Sequence, residues 1–250
     1  MDHPNETLVF LLTLENNLAI AAVISAFGFV VYHLVRLKSA NTFKLEYDYR
    51  VKYQTRIIWY VFLCFLVTIT LMVDSLLPFH EEDKYAITLY LAGLITSVLF
   101  ATIIAFAFYK WLHIYYSSAL NKKLRELRYK PRISPKSNKP MKLLSEEEED
   151  VHLSVGMQAE EDVFSIDYDV WVDEETGHVE IEKYEGKYKV EKCPDCDFLT
   201  LHDKREEIVD SPSTEKPGRL LKHYHCDNCG YREKRFYRIA KLEPDIIEHY

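Results

Sequence analysis

The sequence predicts an α+β membrane protein: three transmembrane α-helices followed by a small all-β cytosolic domain. Three apolar stretches are long enough to cross a bilayer, the carboxylates crowd into the C-terminal half, and two Cys-x-x-Cys pairs lie close to the C-terminus. Over the 250 residues the mean hydropathy is −0.19 and the formal net charge −8, averages that describe neither half. The first six residues offer no basic n-region and no small-residue cleavage site, so the first helix is expected to stay as an anchor.

A helix needs roughly 20 apolar residues to cross a hydrocarbon core about 30 Å thick. Residues 18–37, 57–78 and 87–109 meet that length within a transmembrane region spanning 1–116. Residues 8–14 are also apolar, and form either an interfacial turn or an extension of the first helix, since Glu15-Asn16-Asn17 separates them from the first span. Trp59, Tyr60, Trp111, Tyr115 and Tyr116 gather at one set of span ends, as interfacial aromatics do. The same side is basic. Lys38, Lys44, Arg50, Lys52 and Arg56 follow the first span, and Lys110, Lys122, Lys123, Arg125 and Arg128 follow the third. The positive-inside rule therefore places the N-terminus outside and the C-terminus in the cytoplasm. Asp74 is the one carboxylate inside a predicted span, but near its outer end, where it can reach headgroups; Cys64 reads as a small buried apolar residue.

Residues 117–142 read as a basic juxtamembrane linker, in which the helical pattern continues through residues 121–128 until Pro131, Pro135 and Pro140 interrupt it. From Lys110 to Lys142 ten Lys or Arg stand against the single Glu126, enough to attract anionic headgroups at about 1 kcal/mol each near the surface.

Residues 143–250 form the predicted soluble domain. Cys193-Pro-Asp-Cys196 and Cys226-Asp-Asn-Cys229 are separated by 29 residues. Each pair can turn a tight hairpin that aims both sulfurs one way, and two such hairpins supply the four soft ligands of one closed, tetrahedral, structural Zn²⁺ site. Gly230 suits a turn that needs an unusual backbone conformation. A redox dithiol is the competing reading, disfavoured because two pairs occur and no βαβ pattern surrounds them. His223 and His225 are read as strand residues. Alternation around Tyr188, Val190, residues 220–225 and residues 231–239 predicts strands, and residues 210–218 an exposed loop.

Residues 141–161, which include Leu143-Leu-Ser-Glu-Glu-Glu-Glu-Asp150, together with Ser165-Ile-Asp-Tyr-Asp-Val-Trp171 and the two cysteine knuckles, resemble the zinc-ribbon tail of bacterial TPM-domain membrane proteins. The resemblance covers about residues 139–242 and implies tandem ribbons and a bacterial inner membrane as the expected location. Residues 135–140 and 172–177, where that family places cysteines, hold none, so the first ribbon is expected to be degenerate and metal-free, retaining a Glu-Thr-Gly hairpin turn. The catalytic-type TPM domain has no counterpart here, and its activity does not carry over.

From Glu146 to Asp210 there are 23 Asp or Glu against six Lys or Arg, a balance of −17 that disfavours nucleic acid. The terminal strands reverse the sign, interleaving Arg219, Lys222, Arg232, Lys234, Arg235, Arg238 and Lys241 with Tyr224, Tyr231, Phe236 and Tyr237. No nucleophile–base pair, phosphate-cradling glycine loop or catalytic metal spacing stands out, so no enzyme is expected. The expected function is protein–protein interaction or scaffolding at the membrane by a zinc-stabilised module. An accessory subunit of a transport or secretion complex and a membrane-tethered nucleic-acid-binding ribbon are the alternatives.

Overall fold

The computed structural model describes residues 6–76 and 85–243, with the side chains of all but 74–76 among them. The chain divides into two compact units, residues 1–130 and 131–250.

The first unit is helical. Its three apolar helices, α1 (Glu6–Lys38), α3 (Thr55–Leu76) and α4 (Ala86–Trp111), are long and apolar enough to cross a membrane. α1 opens with Glu6 in its first turn and closes with Arg36 and Lys38 in its last, charges that suit the helix dipole. It runs unbroken through Glu15-Asn16-Asn17, so residues 8–14 extend the first span. Glu15 is buried. Small side chains let α1 and α3 approach: Ala19 and Ala26 are buried, and the Thr68 hydroxyl donates to the carbonyls of Cys64 at 2.9 Å and Ala19 at 3.5 Å. α3 also packs on α4 through Phe62 and Phe108, whose rings stack with centroids 3.7 Å apart. The Asp74 side chain lies outside the described residues.

Between α1 and α3 runs α2 (Phe43–Tyr49), N-capped by Thr42, whose side chain accepts the Leu45 amide. A π-helical turn, Arg50–Gln54, carries α2 into α3, and a second, Leu112–Tyr116, carries α4 into α5 (Ser117–Arg128). The Gln54 side-chain amide donates to the Tyr116 hydroxyl, joining the two π turns. α5 buries Leu120, Leu124 and Leu127 on one face, so the helical pattern expected to run on through residues 121–128 is an amphipathic helix that packs on α2.

The second unit holds two three-stranded antiparallel sheets, ordered β1-β2-β3 and β4-β5-β6. The first comprises β1 (Lys142–Leu143), β2 (Ile166–Val172) and β3 (Val179–Glu185), with two short helices, α6 (Glu146–Glu149) and α7 (Val155–Asp162), between β1 and β2. α6 begins at a capping box formed by Ser145 and Glu148, and α7 at Ser154, whose hydroxyl accepts the Met157 amide. β2 is covered on both faces. Ile166, Tyr168 and Val170 join Leu153 in a core with Leu144, Met157, Val179 and Leu199. On the opposite face Arg132 sits 4.8 Å above the Trp171 ring and grips Glu182 through two hydrogen bonds of 2.6 and 2.8 Å. Residues 131–141, predicted as linker, are therefore folded into this unit: Ile133 bridges to Pro140, and Arg132 is buried. The prolines mark a turn there.

The second sheet comprises β4 (Leu201–Asp210), β5 (Gly218–Cys226) and β6 (Arg232–Ile239). Its two faces differ in charge pairing. On one, Lys222 meets Asp203 and Glu206, and Arg235 meets Glu191 and Glu233. The other carries His223 and His225 beside the exposed Lys234 and Arg232, with Phe236 and Arg238 continuing along β6.

Candidate metal centre

Cys193 and Cys196 lie on the turn before β4, and Cys226 and Cys229 on the turn joining β5 to β6. Their sulfurs all lie within 4.8 Å of one another. Two contacts cross between the turns, Cys193 to Cys229 and Cys196 to Cys226, each at 3.6 Å. A tetrahedron with metal–sulfur bonds of about 2.3 Å has edges of about 3.8 Å. The four thiols are thus already spaced to hold one metal ion, and the residues picked out by sequence spacing are the ones the fold brings together.

The turns are built alike. The Cys193 amide donates to the Phe198 carbonyl and the Asp197 amide to the Cys193 carbonyl; Cys226 makes the same pair with Tyr231 and Gly230. Each turn needs a left-handed residue, supplied by Asp197 at φ 66° and Gly230 at φ 78°. Cys193 and Cys226 are fully buried with Leu201 and Tyr224, Cys196 is half-buried, and Cys229 is exposed at the rim.

Burial pushes the Cys226 thiol up, but the Thr200 hydroxyl and the amides of Cys229 and Asn228 outweigh it and bring the group down to about 6. At Cys229 the Tyr231 amide pulls down, yet burial and the neighbouring thiols win and push it up to about 12. Burial also raises Cys193. Four sulfurs this close cannot all ionise unless a cation sits among them, and a cation that does so releases the protons.

Sequence spacing could not point to Thr200, fully buried with its hydroxyl 3.0 Å from the Cys226 sulfur. His223 and His225 stay outside the centre, 3.7 Å from Glu207 and 3.0 Å from Asp227 respectively. Cys64 belongs to the helical unit.

The centre is fastened to the first sheet. Gly156 of α7 lies against the Phe198 ring, where an added Cβ would come within 2.3 Å. Glu160 of the same helix is 1% exposed and accepts the Leu199 amide at 2.7 Å, the Tyr168 hydroxyl at 2.5 Å and the Lys183 ammonium at 3.4 Å. No protein-family model, curated protein or solved structure matches the chain.

Proposed function

We propose that this chain is a membrane-anchored recruiting protein, whose cytosolic module, built around one structural zinc, presents a basic, aromatic sheet face to an acidic protein partner. Zinc is the ion because four cysteines in two knuckles are a soft, closed, four-coordinate set with no position left for water. The same closure argues against hydrolysis or redox catalysis at the centre. The basic flanks of the apolar helices favour a cytoplasmic place for this module with the N-terminus outside, and the resemblance to TPM-type tails points to a bacterial inner membrane.

The observation that carries the reading is the outer face of β5 and β6. Arg232, Lys234 and Arg238 are exposed and meet no carboxylate among the described residues, and Phe236, 63% exposed, lies between them. Cations left unpaired beside an exposed aromatic ring favour a partner that brings the carboxylates. A phosphate backbone fits less well, since the same unit carries the acidic stretch from Glu146 to Asp210.

The accessory-subunit reading has its own support in an open apolar groove of about 280 Å³ between α3 and α4, lined by Leu63, Val67, Thr70, Val98, Ala101 and Thr102. Purification of the intact protein in mild detergent separates the two. One zinc per chain, with a partner that is lost from Arg232→Glu/Lys234→Glu/Arg238→Glu at unchanged zinc content, supports recruitment. A partner that survives both this variant and removal of residues 131–250 would overturn it in favour of the subunit.

A further inference from the structure

The two cysteine turns share a backbone signature with two other turns that contain no cysteine. At Ser134 the amide donates to the carbonyl five residues on, Lys139, at 2.9 Å, and the amide four residues on, Asn138, donates back to Ser134 at 3.0 Å. Asp173 repeats this with His178 and Gly177, each at 2.8 Å. In the cysteine turns the same bonds measure 2.8 and 3.0 Å at Cys193 and 2.9 and 3.0 Å at Cys226. The residue four positions on is left-handed in every one: Asn138 at φ 56°, Gly177 at 64°, Asp197 at 66° and Gly230 at 78°. Among the described residues only Phe164 otherwise has a positive φ, so the coincidence is not a general habit of this chain.

The order of elements repeats as well. A turn at 134–139 precedes β1, β1 pairs antiparallel with β2, and a turn at 173–178 leads into β3. A turn at 193–198 precedes β4, β4 pairs antiparallel with β5, and a turn at 226–231 leads into β6. Equivalent pairs close three of the four turns: Ile133 with Pro140, Val172 with Val179, and His225 with Arg232. The first and fourth residues of each turn are cysteines in the second repeat. In the first they are Ser134 and Ser137, and Asp173 and Thr176.

We infer that residues 131–188 are a ribbon of the same design, in which Ser134, Ser137, Asp173 and Thr176 stand at the four metal-ligand positions and hydrogen bonds to one carboxylate replace the ion. Asp173 Oδ2 accepts the Ser134 hydroxyl across the turns at 2.6 Å and the Thr176 hydroxyl at 2.5 Å, while Oδ1 accepts the Glu175 amide at 3.0 Å. Small details match too: the Ser137 amide lies 3.4 Å from Ser134 Oγ, as the Cys229 amide lies 3.4 Å from the Cys226 sulfur. Oxygens 2.6 Å apart leave no tetrahedral hole, because zinc–oxygen bonds of about 2.0–2.2 Å require edges of about 3.3–3.6 Å. A buried carboxylate with charge-assisted donors ties the turns together without metal. This assignment is independent of any partner of the second sheet.

The test uses the full chain in detergent micelles. Replacing the quartet with thiols, Ser134→Cys/Ser137→Cys/Asp173→Cys/Thr176→Cys, and supplying Co²⁺ is expected to double the metal per chain from one to two, with twice the thiolate-to-cobalt absorption. Should that variant fail to fold, Asp173→Ala supplies the second reading. It is expected to speed amide exchange at least tenfold at Ser134, Asn138 and Gly177 while the metal content stays at one. A folded four-cysteine variant holding a single metal, a native chain holding two, or unchanged exchange in Asp173→Ala overturns the inference.

Discussion

The Glu160 carboxylate in α7 accepts the amide of Leu199, two residues before β4, at 2.7 Å, and so fastens the first sheet to the turn that carries Cys193 and Cys196. Gly156, one helical turn earlier, makes room for the Phe198 ring beside it. Both contacts join residues about 40 positions apart to a segment only a few residues long, which makes α7 the brace of the metal centre.

A methyl group at Gly156 is expected to have opposite effects in two backgrounds. In the native chain Gly156→Ala forces the Phe198 ring out of place, an overpacking that costs roughly 1–3 kcal/mol and outweighs the better helix propensity of alanine. With Phe198→Ala the obstruction is gone, and the same substitution should stabilise by roughly 0.5–1 kcal/mol. Thermal melts of the four proteins of this cycle measure both signs, and an unchanged sign would show that the two residues do not touch in solution.

Glu149 on α6 is predicted to be a site of strain at neutral pH. Burial first, and then the charges of Glu161, Glu146 and Asp169, push its carboxyl up to about 7, against the opposing pull of the Val170 amide. The folded state therefore holds a proton that the unfolded chain, with a value near 4.5, releases. Stability from this group is fully present below pH 4.5, falls as pH rises, and is lost above about 7. Glu149→Gln keeps an acceptor for the amide and removes the charge, so it should stabilise by roughly 1–3 kcal/mol at pH 8 and by almost nothing at pH 4.5. Melting temperatures across that range give the difference directly.

What the sequence discloses follows from which signals are local. The apolar helices and the four metal-site cysteines were legible because hydropathy over some twenty residues and a two-residue spacing are each complete within a short window. Glu15-Asn16-Asn17 looks like a break, since asparagine is a weak helix former, yet α1 runs through it and packing buries Glu15. Pro131, Pro135 and Pro140 announce an interruption, but proline rings fit a tight turn as well as a linker, and only the Arg132–Glu182 and Ser134–Asp173 contacts, 50 and 39 residues apart in sequence, decide between them. α6 had a readable sign, the Ser145-x-x-Glu148 capping box. Glu160 gave none. Its role depends on Leu199 and Tyr168, which the chain brings to it only once folded.

Arg132 and Glu182 form a pair with side chains 6% and 11% exposed, and burying two charges makes each dependent on the other. Removing the cation alone, in Arg132→Met, leaves Glu182 desolvated opposite the Tyr184 hydroxyl and is expected to cost roughly 3–5 kcal/mol. Arg132→Met/Glu182→Leu replaces both charges with apolar volume against Trp171 and should recover most of that loss. If the double variant is as unstable as the single one, the pair is held by its geometry on Trp171 rather than by mutual neutralisation.

Removing the metal is expected to act unevenly within the second unit. Among the described residues, the second sheet's buried cluster is Leu201 and Tyr224 alongside Cys193 and Cys226, too little apolar surface to hold a three-stranded sheet, whereas the first has a core of its own around Ile166, Tyr168 and Val170. Structural zinc contributes apparent binding of about 10–16 kcal/mol that is linked to folding. A chelator, or Cys226→Ser, should therefore expose the amides of β4, β5 and β6 to exchange by several orders of magnitude more than those of β2 and β3. Segment-resolved hydrogen exchange on the intact protein measures this. Uniform loss in both sheets would mean that the Glu160–Leu199 and Gly156–Phe198 contacts couple them into one cooperative unit, and uniform retention would mean that the centre carries no structural metal at all.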